Sequence, residues 1–215
     1  MAKLMSGTVD MTIGTPWKKI LQFTLPMLIG NIAQQFYSTV DTIVVGRYAT
    51  HGDNAIAAVG SALPILNMLL VLFIGISAGD SVMVAQYFGA KNRKALSATV
   101  GNCITATAIA SVGLIAIAAP FIRQILVLLN TPENILQWCY EYLMISLIGI
   151  AGMAYYNILS GILRGLGDSV SSLIYLLVAT VINIILDICF VAVLHMDVAG
   201  VALATIIAQF ISSVL

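Results

Sequence analysis

The stretch Ala55–Phe88, AIAAVGSALPILNMLLVLFIGISAGDSVMVAQYF, decides the fold class. It carries a single charged side chain, Asp80, in 34 residues. About 20 apolar residues suffice to cross a hydrocarbon core. The stretch therefore reads as a membrane span, entered through a cap at Asp53 or Asn54. Pro64, Gly75 and Gly79 inside it predict a long, bent helix.

Composition extends this reading to the whole chain. Of 215 residues, 60% are hydrophobic and 8% charged, where a soluble domain carries about a quarter charged residues. An all-α integral membrane protein is the class that fits. Nine basic and nine acidic residues leave no net charge, so nucleic acid is not an expected partner. The lipid bilayer is. Cys103, Cys139 and Cys189 are scattered through apolar runs and read as small apolar filler rather than disulfides or a metal site. His51 and His195 fall in separate connecting loops, which argues against a His-based metal centre.

Breaks at charge, Gly or Pro divide the chain into six spans, at about 16–45, 55–88, 95–119, 135–162, 169–194 and 198–215. Residues 1–15 precede them as a cytoplasmic amino-terminal segment, and 16–215 form the transmembrane unit. Thr15-Pro16 is a good helix start. No short apolar core with a small-residue cleavage site follows, so a cleavable signal peptide is not expected. Residues 120–130, with Arg123 and Gln124 among apolar neighbours, suggest a short helix lying in the membrane interface. The sixth span is still apolar at Leu215. Its eighteen residues give about 27 Å against a core of about 30 Å, so it is expected to be incomplete.

Basic residues set the orientation. With the amino terminus inside, Lys3, Lys18, Lys19, Lys91, Arg93, Lys94 and Arg164 are cytoplasmic, and Arg47 and Arg123 are outside. Seven against two is a positive-inside pattern.

Carboxylates inside such spans need a reason, because one near the centre of a membrane helix costs about 2.5–3.5 kcal/mol on the insertion scale. Asp41, Asp80 and Asp187 are the candidates. Counting back from Asp41 gives Tyr37, Gln34 and Gly30 at helical spacing, one polar face on an otherwise Ile, Leu and Val helix. Pro26, fifteen residues before Asp41, removes a backbone hydrogen bond mid-span and offers a hinge. Asn183 and Asp187 pair at i, i+4 on the fifth span, with Asp187 about 10 Å below its outer end. Thr205 and Gln209 do the same on the sixth. Two carboxylates, an amide and a hydroxyl form a hard-oxygen set for a small cation. The same cluster suits a proton, since two close carboxylates cannot both stay ionised cheaply. A packing network of hydrogen bonds between helices is the other reading of these residues.

Asp80 ranks below the other two acids, facing the same cavity or the interface. Gly75/Gly79 and Gly161/Gly165 are small-xxx-small pairs suited to close helix packing. Gly165-Leu-Gly167-Asp168-Ser169 lacks the Lys of a phosphate-binding loop, and a helix C-cap followed by an Asp or Ser N-cap explains it. No zincin motif, nucleophile elbow or other enzyme signature is found, so an enzyme is not expected. Nor is a resident cofactor, or any metal beyond a possible sodium ion.

Several runs resemble the multidrug and toxic-compound extrusion (MATE) family. Gly14-Thr15-Pro16-Trp17-Lys18-Lys19-Ile20, Leu25-Pro26, Tyr37, Val40-Asp41-Thr42 and Val45-Gly46-Arg47 are similar to its first helix. Ala85-Gln86-Tyr87-Phe88-Gly89-Ala90-Lys91 resembles its second-to-third junction, and Gly161-Ile162-Leu163-Arg164-Gly165-Leu166-Gly167-Asp168 its fourth-to-fifth. Asn183, Asp187 and Gly200-Val201-Ala202-Leu203-Ala204-Thr205 match its fifth and sixth helices.

The resemblance implies a twelve-helix antiporter of two six-helix lobes in the cell membrane, exporting organic cations against sodium or protons. This chain corresponds to the amino-terminal lobe, and the second lobe would be its missing partner. Carried over residue by residue, a cation site falls on Asp41, Asn183, Asp187 and Thr205, with the backbone carbonyl of Val201. Gln34, Tyr37 and Asn157 would line the drug cavity. The chain departs from the pattern in lacking a second lobe and in placing Asp80 where a small or hydroxylic residue is expected. A lipid-linked saccharide flippase of the same superfold is the alternative. That task needs cationic side chains inside the cavity to hold pyrophosphate, whereas here Arg and Lys lie at helix ends. A channel would show a repeated filter sequence, and none is present.

Overall fold

The computed structural model describes residues 14–50 and 52–215. Lys3, most of the amino-terminal segment and His51 lie outside the described residues. The described chain folds into helices α1 (Pro16–Tyr48), α2 (Gly52–Gly89), α3 (Arg93–Ala118), α4 (Ile122–Leu128), α5 (Glu133–Ile148), α6 (Ile150–Gly165), α7 (Ser169–Asp187) and α8 (Asp197–Val214). Four helical stretches among them are long and apolar enough to cross a membrane, and the bent pair α5–α6 makes a fifth. The remaining helix, α1, has the length at 33 residues, and its polar run from Gln34 to Thr42 lowers its apolarity. The helix that carries Gln34, Tyr37 and Asp41 is thus the least apolar of the long helices.

Local chemistry explains the breaks. Pro16 occupies the first turn of α1, where its missing N–H costs nothing. Thr15 holds the cap position through its carbonyl, which accepts from Lys18 and Lys19 N–H at 3.1 and 3.3 Å, and not through its hydroxyl. α2 starts at Gly52, so Asp53 sits in its first turn rather than capping it. The expected separate interfacial helix at 120–130 is instead joined to α3 through one 3₁₀ turn, Ala119–Phe121, giving a continuous stretch Arg93–Leu128. Between α6 and α7, Gly167 adopts φ 84° and Asp168 caps α7, its Oδ1 accepting from Ser171 N–H at 2.9 Å. That is a capped turn. At Gly149 the α5–α6 pair bends by 53°, and a Cβ there would collide with the Ile206 side chain of α8.

Helices α2 and α6 form the most extensive pairing, followed by α1 with α7. On α6, Gly161 admits Ser77 and Gly165 admits Ser81 and Val84. The Ser77 hydroxyl donates to the Asn157 carbonyl at 2.7 Å across this seam. The other small pair does not pack: Gly75 and Gly79 face open space on the opposite side of α2. Helical phase puts Ser77 and Ser81, and not the two glycines, toward α6.

The core is uneven along the bundle. Its main body includes Val44, Val45, Ala55, Ala58, Val59, Val191, Val198 and Val201, at the end where α1 meets α2 and α7 meets α8. The opposite end has a small cluster of Val84, Cys103, Ile158 and Ile162. In α1 the buried residues are Gly30, Asp41, Val44 and Val45. Its half before Pro26 is anchored by none.

Candidate cation site

The tightly packed end of the bundle holds the polar cluster. Asp41 sits two turns before the end of α1, 8% exposed, and Asp187 closes α7, fully buried. Asn183, one turn before Asp187 and also fully buried, lies between them. With its amide nitrogen turned to the two acids, Asn183 donates to Asp41 Oδ1 at 2.9 Å and to Asp187 Oδ2 at 3.1 Å. That orientation is the one in which each of its atoms meets a complementary group. The two carboxyl groups also lie close enough to interact directly. Two carboxylates so placed repel unless a proton or a cation lies between them.

The α1–α7 packing makes this approach possible. Gly30 is buried where α1 meets Leu173 and Leu176 of α7, and a Cβ there would rest in ordinary contact with Leu176 at 3.5 Å. Directly after Asp187 the backbone widens into a π-helical turn, Ile188–Val193. Such turns recur at functional sites because they re-aim the side chains beside them.

Thr205 of α8, 8% exposed, completes the cluster on a third helix. Its hydroxyl stands beside that of Tyr37, yet neither closes a full hydrogen bond. Asp187 Oδ1 and Gln209 Oε1 are likewise enclosed without a partner. An unsatisfied buried polar atom costs about 1–3 kcal/mol. Of these, the Tyr37 and Thr205 hydroxyls stand beside the acid pair and Asp187 Oδ1 belongs to it, which leaves the cluster with unused hydrogen-bonding capacity.

The remaining residues singled out in the sequence fall differently. Val201 is fully buried one turn before Thr205, where its carbonyl serves the regular ladder of α8 and retains one lone pair. Gln34 lies on the exposed part of α1, two turns from Asp41. Asn157 is half-buried on α6, and its side chain donates back to the Met153 carbonyl at 2.8 Å rather than reaching the acids. Asp80 sits on α2 beside Cys103 of α3, with Oδ2 enclosed and unpartnered, apart from the acid pair. Tyr142 was not foreseen: α5 places it, 3% exposed, within electrostatic range of Asp41, Asp187 and Tyr37. No polar partner at helical spacing marks it in the sequence except Ser146.

Fold and site together define a polytopic membrane protein with a buried acid–amide–acid cluster near one end. The model of the MatE family matches residues 26–189, and the chain belongs to this family of membrane transporters. It is 37% identical over 170 residues to the probable multidrug resistance protein YoeA of Bacillus subtilis, covering 79% of this chain and 36% of that protein. It is 30% identical over 204 residues to the probable multidrug resistance protein YpnP of the same organism, covering 94% and 45%. Among solved structures, a MATE protein in a bent conformation superposes with a TM-score of 0.85 and one in a straight conformation with 0.84. Each is 26% identical and matched over 94% of this chain and 44% of that one. The chain therefore spans less than half the length of these relatives.

Proposed function

We propose that the chain forms one six-helix lobe of a cation-coupled antiporter that exports organic cations, and that Asp41, Asn183, Asp187 and Thr205 are its coupling site. The observation that carries this reading is the buried Asn183 bridge between two carboxyl groups that also lie close enough to interact directly, with unpartnered polar atoms beside them. The site holds net negative charge in a low-dielectric interior. A sodium ion or a proton neutralises it on entry, and a cationic drug competes for the same charge, which makes the two fluxes mutually exclusive. Gln34, Tyr37 and Asn157 line the drug path, with Val201 contributing a carbonyl. Alternating access requires one bundle to rock against another, so a second six-helix lobe is the partner. The amino terminus is cytoplasmic and the acid pair lies toward the outer leaflet of the cell membrane.

The test is efflux of ethidium from energised cells under an imposed sodium or proton gradient, with anionic lipid as the competing substrate. Gradient-driven ethidium export, unaffected by the lipid, is the expected result. Translocation of the lipid without ethidium export would assign the chain to flippases.

A further inference from the structure

Two turns close the bundle above the acid pair, and the side chain of Asp197 joins them. Asp197, the first residue of α8, accepts from Thr50 N–H at 2.7 Å and from the Thr50 hydroxyl at 3.1 Å, both through Oδ1. Thr50 lies in the turn between α1 and α2, 147 residues away in sequence. Both turns are tightly built. Gly46 and Gly52 press together so closely that a Cβ on Gly52 would strike the Gly46 carbonyl, and one on Gly46 would meet Ile56 at 2.6 Å. In the other turn His195 and Asp197 adopt φ 52° and 48°, and a Cβ on Gly200 would meet Phe190, Val191 and Met196 at 3.0–3.2 Å. A left-handed backbone at two non-glycine residues costs of order 1–3 kcal/mol each and persists only where its surroundings enforce it.

We propose that Asp197 is a positioning residue for the acid pair. Its double hydrogen bond ties the end of α1 to the start of α8, and so fixes where Asp41 stands relative to Asp187 and Thr205. The spacing supports this. Asp41 is nine residues before Thr50, Asp187 ten before Asp197 and Thr205 eight after it, so all three lie within about 15 Å of the tie along their helices. The segment of α1 before Pro26 has no buried residue, so the tie, the Asn183 bridge, the Gly30 contact with α7 and the Val44–Val45 packing, all after it, are what register α1 against α7 and α8. Asp197 neither touches the acids nor supplies charge to them. It acts through backbone placement. The inference rests on the coupling-site reading above.

The full 215-residue chain is first compared with Asp41→Asn for binding of ²²Na⁺ and for proton uptake, and the ion whose binding that change removes is then titrated. If Asp41→Asn removes neither, the coupling-site reading fails and this inference with it. Otherwise Asp197→Gly and Asp197→Asn separate the tie from the charge, because both residues suit a left-handed backbone and only Asn keeps an oxygen acceptor. Asp197→Gly is expected to weaken ion binding about tenfold, the loss of two hydrogen bonds, and Asp197→Asn less than about threefold. Thr50→Val, which removes only the hydroxyl donor, should weaken it about threefold, with Thr50→Ser unchanged. Wild-type affinity in both Asp197→Gly and Thr50→Val would overturn the proposal. Equal loss in Asp197→Asn and Asp197→Gly would overturn it too, since Asp197 would then act by charge.

Discussion

At the scale of single residues, the bundle separates side chains that hold helices together from those that hold a ligand. Gly161 belongs to the first group. A methyl group there would enter the space of Ser77, side chain and carbonyl both. Gly161→Ala should therefore lower stability by about 1–3 kcal/mol, the usual cost of overpacking, seen as a lower unfolding temperature in detergent. Gly79→Ala, with open space around it, should leave that temperature unchanged or slightly raised. Asp41, Asn183 and Asp187 are proposed for the second group, and their spacing was legible because an acid in an apolar helix is conspicuous and i, i+4 partners share a face. Tyr142 was not legible, because a tyrosine in an apolar span is unremarkable until the fold brings two carboxylates beside it. The glycine pairs show the same limit. Gly75/Gly79 and Gly161/Gly165 are alike in sequence, and only the phase of α2 against α6 decides which pair is packed.

At the scale of elements, α1 is the helix whose behaviour matters most. Pro26 interrupts its ladder by leaving the Gln22 carbonyl without a partner. The segment before Pro26 is unanchored, whereas the segment after it is held by Gly30, Asp41, Val44 and Val45. In the proposed mechanism the first half swings while the acid pair stays fixed. Related structures exist in bent and straight forms, and this chain superposes on both. Pro26→Ala should restore one backbone hydrogen bond, leave ion binding within about twofold of wild type, and slow export severalfold, because a straightened helix resists bending. Unaltered export by that variant would remove the hinge from the mechanism. Helix boundaries were readable from Pro, Gly and capping residues. The α5–α6 bend at Gly149 was not, because the close approach of Ile206 to Gly149 comes from a helix distant in sequence. The π-helical turn after Asp187 likewise has no mark in the sequence Ile188–Val193.

For the molecule as a whole, core and site coincide. The dense packing lies at the end where α1 meets α2, and the acid pair sits within it, so the site is rigid where the bundle is rigid. The proposed orientation rests on the placement of basic residues in the sequence. A cysteine at His195 should react with an impermeant thiol reagent added outside intact cells, and one at Asn92 should not, with Cys189 replaced by Ser beforehand because it is exposed. The reverse pattern would invert the bundle and place the acid pair near the cytoplasm. The central claim, that the Asn183-bridged acids are one ion site and not a packing network, is tested most directly by ion binding to purified protein after neutralising each acid. Asp41→Asn and Asp187→Asn keep shape and hydrogen-bonding capacity while removing one charge apiece. Each should weaken binding of the coupling ion by more than about tenfold, roughly 1.4 kcal/mol, and Asp80→Asn should change it less than about twofold. Wild-type ion binding in both Asp41→Asn and Asp187→Asn would contradict the account.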